Sequence, residues 1–219
     1  MDFIFDPSLV LYLPLYKLDG ASFMSRDAYG HLCTVTGAVW TPQGRDFDGA
    51  DDYIDLDDID AVDFGAGDFC LIAWVKRDAI DTSHMIFGKD NGGSYEQFVM
   101  RISSSNGIRI RYWTAPGTAV QLDTSAIITD TTEFHCIGAQ RNGDSFDVFK
   151  DGELFESGTT GGTHGTMQSV SSKLYIGARA RPGAENYFGG IIGEVLAFRR
   201  SFTAPEHLNY YMATKWRYK

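Results

Sequence analysis

The stretch Gly44-Arg45-Asp46-Phe47-Asp48-Gly49-Ala50-Asp51-Asp52-Tyr53-Ile54-Asp55-Leu56 decides how this chain reads. Two short extended runs flank a polar turn broken by Gly49. Phe47, Tyr53, Ile54 and Leu56 are apolar anchors for a core, while five carboxylates crowd one loop. Apolar residues alternating with polar ones on either side of a glycine turn indicate strands and not a helix.

The same pattern continues in both directions. Extended runs recur about every 8–12 residues between turn clusters, the spacing of an all-β sandwich or barrel, and about 13–14 strands are expected. They cover residues 9–15, 39–40, 45–47, 53–56, 69–76, 84–88, 96–103, 107–114, 119–123, 134–141, 145–150, 153–157, 173–177 and 188–200. The run 69–76 (FCLIAWVK) is apolar on both alternating faces, so it belongs at the centre of a sheet covered on both sides. Asn142-Gly143-Asp144 and Asp151-Gly152 read as hairpin turns. One helix is expected over 203–215: Thr203 caps it, Glu206 completes a capping box, and Pro205 sits in the first turn. Leu208, Tyr211 and Met212 share one of its faces and are expected to pack on the sandwich.

With 219 residues, 43% hydrophobic and 22% charged, the chain suits a single domain spanning 1–219. Its 24 glycines fit many tight turns. The net charge of −10 works against binding a phosphate backbone, so nucleic acid is not an expected partner. Membrane insertion is not expected either, because no apolar run has the length of a spanning helix. No secretory signal is visible at the N-terminus, which implies cytoplasmic synthesis, with a final place on a virion or cell surface still open. Cys33, Cys70 and Cys136 have neither disulfide-framework nor zinc spacing, and the last two lie in apolar runs as free thiols.

The opening stretch resembles the "GR-FDG-x-DDYI-L" segment of laminin-G-like domains in the concanavalin A-like lectin/glucanase superfamily. Four further segments are similar to that family in the same order: Leu9 to Leu15, Asp68-Phe69-Cys70-Leu71-Ile72-Ala73-Trp74-Val75-Lys76, Gly138 to Gly152, and Tyr175-Ile176-Gly177 followed by Phe188 to Phe198. The resemblance covers roughly residues 9–212. It implies an antiparallel jelly-roll β-sandwich with a short C-terminal helix, and a non-catalytic carbohydrate-binding module. It also implies calcium, which members of the superfamily often hold. Asp48, Asp51 and Asp52 are the candidate ligands, oxygen-rich as that ion prefers; the alternative is a solvated turn whose carboxylates bond local amides. Gly193 departs from the pattern, since the family carries Asp before Glu-Val.

A polysaccharide-cleaving enzyme, glycoside hydrolase or lyase, is the less favoured alternative, because its chemistry has little support in the residues. A retaining glycosidase needs two carboxyl groups about 5–5.5 Å apart. The chain contains no Glu-x-Asp-x-x-Glu run, and no nucleophile elbow, phosphate loop or zinc-binding His-Glu-x-x-His helix. His135, in a strand, reads as structural, whereas His84 and His164 lie at loop edges within reach of a ligand.

Strand parity points to a binding face. Runs 96–103 and 107–114 form a hairpin, and matching apolar to apolar places Ile102 opposite Ile108. The other face then gathers Gln97, Arg101, Arg109, Arg111 and Trp113. An exposed Trp among donors suits a sugar, and three arginines suit an anionic one; the alternative is a solvated face whose arginines pair with Asp. Tyr95, ending the polar loop 89–95, is a second stacking candidate, and loop 179–187 has similar character. The other class of function is structural: a virion decoration, tail or adhesion protein that self-associates, or binds other virion proteins, through sheet edges or the tail aromatics Tyr210, Tyr211, Trp216 and Tyr218.

Overall fold

A computed structural model describes residues 3–90, 96–179 and 186–219. After a 3-10 turn at Phe3–Phe5 come β1 (Leu9–Leu13), β2 (Ser22–Met24), β3 (Leu32–Thr36), β4 (Val39–Thr41), β5 (Gly44–Asp48), β6 (Tyr53–Asp55), β7 (Phe69–Arg77) and β8 (His84–Asp90). Then follow β9 (Glu96–Ile102), β10 (Ile108–Ala115), β11 (Thr118–Asp123), β12 (His135–Asn142), β13 (Ser145–Lys150), β14 (Glu153–Gly158), β15 (Leu174–Ile176) and β16 (Gly189–Phe198). The helix α1 (Ala204–Thr214) and a 3-10 turn at Lys215–Tyr218 close the chain. One antiparallel sheet runs β14-β13-β12-β7-β16-β5-β4, with β1 also on β16; the other runs β11-β10-β9-β8-β15-β6-β3-β2. Packed face to face, they form the expected jelly-roll sandwich.

The central position of β7 follows from its composition. Phe69, Leu71, Ala73 and Val75 join the core between the sheets. Cys70, Ile72 and Trp74 point the other way, into a second cluster formed with Phe202, Tyr210 and Tyr218. The helix and C-terminal turn therefore cover the outer face of the first sheet, so both faces of β7 are dry.

The opening stretch forms β5, a turn and β6, with Phe47, Ile54 and Leu56 in the main core. Arg45 is buried and donates to the carbonyls of Ala38, Asp19 and Gly20, tying two loops to the strand. Gly44 is required because a Cβ would strike Ile192 O on the neighbouring strand. Gly193 has the same explanation: a Cβ there would collide with the Tyr218 ring, which stacks on Trp74 with centroids 4.3 Å apart. An Asp at 193 is excluded by that ring, which accounts for the departure from the family pattern.

Three expectations need correction. Sixteen strands occur among the described residues; β2 and β3 escaped notice because β3 is a largely exposed strand whose one fully buried side chain is Cys33. The helix, capped by Thr203 and Glu206 as read, buries His207, Tyr210 and Thr214 instead of the predicted stripe. Leu208 and Met212 stay exposed, while Tyr211 is half-buried and stacks on Trp74. His207 fixes this rotation by stacking on Phe149 at 3.7 Å and bonding Gln140 Oε1 through Nε2 at 3.1 Å. Finally, Tyr210 and Tyr218 are internal, so of the tail aromatics proposed for self-association only Trp216 is openly exposed. Cys70 and Cys136 are free and buried as read, and Cys33 is free and buried as well. No helix among the described residues is long and apolar enough to cross a membrane.

His207 makes stability depend on pH. Burial pushes its imidazole down to about 4, and burial also lowers His84 and His164. His135 opposes them: burial works against its charge, but Asp151 and Asp130 outweigh it and hold the imidazole above its usual value. A base with a depressed folded pKa leaves the unfolded chain binding more protons, so its stabilisation is whole above about 6.5 and declines as pH falls toward 4. Thermal melts at pH 7 and pH 4.5 should show His207→Gln losing about 2 kcal/mol less than the wild type over that interval. Equal losses would exclude His207 as the source.

Candidate functional site

The hairpin of β9 and β10 takes the predicted register, with Ile102 opposite Ile108, and Phe98, Met100, Ile102, Ile108, Ile110 and Tyr112 enter the main core. Residues of opposite parity reach the outer face of the second sheet. There Arg101 stands directly across from Arg109, and Arg111 across from Val99. On the far side Arg109 faces Asp123, Arg111 faces Gln121, and Trp113 faces Ala119. Met85 of β8 completes the face opposite Arg101.

Trp113 lies on the predicted face, but it is only 5% exposed. Its ring packs with Met85 and Val99 under the Arg111 guanidinium, 5.3 Å from the ring centroid. The segment after β14 meets the backbone of this strand, with Gln168 N donating to Trp113 O at 2.7 Å. Trp113 is thus an apolar floor and not the exposed stacking platform that parity predicts. Gln97 leaves the face as well. Lys89 pairs with Phe98 and Asp90 with Glu96, so Gln97 is the unmatched residue of a bulge. It is fully buried, and Nε2 donates to Asp63 Oδ1 at 2.6 Å, beside Lys89 Nζ, also at 2.6 Å. Tyr95 lies outside the described residues, as do 180–185 of the second candidate loop.

What remains is an arginine cluster. Arg109 pairs with Asp123, and Arg111 donates to Gln121 Oε1. Gln121 in turn donates to Asp123 at 2.7 Å. One carboxylate therefore serves two arginines. Arg101 Nε is buried with no hydrogen-bond partner among the described residues. Burial, together with the charges of Arg109 and Arg111, pulls the Arg101 pKa down. Arg179 approaches from the loop after β15, paired with Asp90. These four arginines with Met85, Val99 and Trp113 enclose a cavity of about 30 Å³, room for one small polar group. Asp123, Gln121 and Met85 were not singled out from the sequence. The alternation in Thr118–Asp123 carried the signal for the first two, because it sends Ala119, Gln121 and Asp123 to one face.

The acidic loop is also assembled as read. Asp48, Asp51 and Asp52 each bring one carboxylate oxygen within 4.8 Å of the others. Asp48 Oδ1 accepts from Ala50 N at 2.8 Å and Asp51 N at 3.2 Å, while Asp52 Oδ2 accepts from Asp48 N at 2.9 Å. The amide of Ala50 leads those that hold Asp48 below its usual pKa, and burial raises Asp52. The two histidines read as within reach of a ligand are both hydrogen-bonded within the fold. Thr82 Oγ1, Ala79 O and Gly189 N bond the His84 ring, and Tyr112 and Thr159 hydroxyls bond the His164 ring.

The family model for the concanavalin A-like lectin/glucanases superfamily, of laminin G type, matches residues 48–206. The chain belongs to this superfamily. No curated protein matches it by sequence. Among solved structures this laminin-G-type domain is similar to Trypanosoma rangeli sialidase in complex with 2,3-difluorosialic acid, at 16% identity and TM-score 0.70 over 99% of this chain and 34% of that one. The same sialidase in complex with sialic acid gives 15% identity and TM-score 0.69, with the same coverage. The binding domain of botulinum neurotoxin DC in complex with SialylT gives 12% and 0.68, over 94% of this chain and 52% of that one. The domain thus spans about a third of the sialidase and half of the toxin fragment, and the likeness is one of fold.

The crowding of Arg101 carries a cost that stability measurements can read. Like charges directly opposite across two strands are destabilising. Arg101→Met keeps the apolar stem and removes the charge, and should raise stability by up to about 1 kcal/mol in chemical denaturation. A clear loss of stability would mean the guanidinium is already well paired.

Proposed function

We propose that this laminin-G-type domain is a non-catalytic carbohydrate-recognition module that takes an acidic sugar through the arginine face. The observation that carries this reading is the uncompensated charge: among the described residues, Arg101, Arg109 and Arg111 have one carboxylate between them, Asp123, which pairs with Arg109 and reaches Arg111 through Gln121, in a chain of net charge −10. A carboxylate or sulfate of the ligand supplies the missing partner. Arg101 Nε has no hydrogen-bond partner among the described residues, and guanidinium forks bond carboxylates strongly and with fixed geometry. Met85, Val99 and Trp113 form the apolar floor beneath the charged group. The sialic acid and SialylT bound to the structural neighbours support sialosides as first probes.

Calorimetry should therefore show binding to sialyllactose and none to lactose. Arg101→Met should weaken it about tenfold or more, the loss of one charge-assisted bond. Lactose binding as tightly, or an unaffected Arg101→Met variant, would remove the arginine face from recognition.

A calcium ion at Asp48, Asp51 and Asp52 is the second part of the proposal. Asp48 and Asp52 each keep one oxygen beyond those bonded to amides, and Asp51 is exposed. Calcium takes about 6–8 oxygens, so three carboxylates completed by water fit it. Calcium chloride should raise the melting temperature, EDTA should reverse the shift, and Asp51→Asn should abolish it. Identical melts with and without calcium would reject the site.

A further inference from the structure

A second cleft lies on the opposite side of the molecule, where the N-terminal 3-10 turn meets β1, β16 and α1. Its volume is about 470 Å³, within the range of small-molecule sites. Phe3, Ile4 and Leu196 form apolar walls, and Glu194, Tyr12 and Tyr210 supply polar groups. Glu194 is only 1% exposed. Its carboxyl makes two long contacts, from Tyr12 Oη at 3.4 Å and Arg217 Nη1 at 3.5 Å. The Tyr210 and Tyr218 hydroxyls are directed at the same carboxyl and help hold its charge, yet neither closes a hydrogen bond of normal geometry, although both side chains are more than nine-tenths buried. Buried polar groups in folded proteins are nearly always bonded, so unmade bonds converging on one cleft signal a missing partner.

We infer that this cleft binds a small uncharged ligand with a hydroxyl head and an apolar body. The charges decide the class. Glu194 and Arg217 are the acidic and basic side chains among the described lining residues, and Arg217 lies against the Glu194 carboxyl. Arg217 is held in place between the rings of Tyr16 at 4.7 Å and Trp216 at 4.9 Å, so it is not released to receive an anion. A cation would place a second positive charge beside it. A charged ligand would lose its hydration without gaining an unpaired counter-ion. A hydroxyl fits because it both donates and accepts: Glu194 is held only by long contacts, and the Tyr210 O–H closes no hydrogen bond of normal geometry. The apolar body then lies against Phe3, Ile4 and Leu196. This site is independent of the arginine face, being on the outside of the other sheet.

Three probes of matched shape test the assignment: benzyl alcohol, benzylamine and benzoate, followed by saturation-transfer NMR and calorimetry on the whole chain. Benzyl alcohol should bind, and the two ions should bind at least about tenfold more weakly. Ala213 lines the mouth and is exposed, so Ala213→Trp should fold normally and abolish binding, leaving the response to sialyllactose as it is in wild type. Glu194→Gln, of equal size, should weaken benzyl alcohol several-fold, because one accepting carboxyl oxygen becomes an NH2 group that can only donate. No binding by any probe, tighter binding of either ion, or undiminished binding to Ala213→Trp would overturn the inference.

Discussion

The structure depends on one strand that is dry on both sides. β7 sends Phe69, Leu71, Ala73 and Val75 into the sandwich, and Cys70, Ile72 and Trp74 into the layer under the C-terminal helix. A strand of this composition is stable only if something covers its outer face. The helix and the turn after it provide the cover, with Tyr210, Tyr211 and Tyr218 gathered around Trp74. Trp74 Nε1 donates to Thr214 Oγ1 at 2.9 Å, so the indole bonds the same helix that its ring packs against. The second sheet has no such helix among the described residues, and its outer face carries the arginine cluster.

That asymmetry separates the two candidate sites. Glu194 lies across from Trp74 on β16, at the irregularity that Gly193 introduces into the pairing. Its burial follows from the tail packing over β7. The arginine face carries the opposite kind of strain, like charges held side by side on a rigid hairpin. A hairpin selected only for stability would place an acid opposite Arg101, as it does opposite Arg109. The absence of that acid is the physical reason to look for a ligand there.

The sequence revealed the sandwich and the hairpin register well, because both rest on period-two alternation and on residues that tolerate only one side. The pairing of Ile102 with Ile108 was legible for that reason. The bulge at Gln97 was not, since a bulge depends on how two strands fit and leaves no mark in either one. Burial of Trp113 was also hidden: parity assigns a face but says nothing of how Met85, Val99 and the Arg111 guanidinium pack around the ring. The helix was recognised from its cap, yet its rotation depended on Phe149 and Gln140, far away in sequence.

Net charge narrows the ligand further. A chain of −10 repels polyanions at long range, and a sulfated polymer would bring many charges toward a surface with few cations to meet them. The arginine cavity, about 30 Å³, has room for one acidic group and no groove for a row of them. At an ionic strength of about 0.15 M the repulsion fades beyond about 8 Å, whereas contacts inside a half-buried cluster are screened much less. A sugar with a single acidic group escapes most of the long-range penalty and gains the whole of the local attraction. The electrostatics thus favour a terminal acidic residue on an otherwise neutral glycan over a uniformly charged chain.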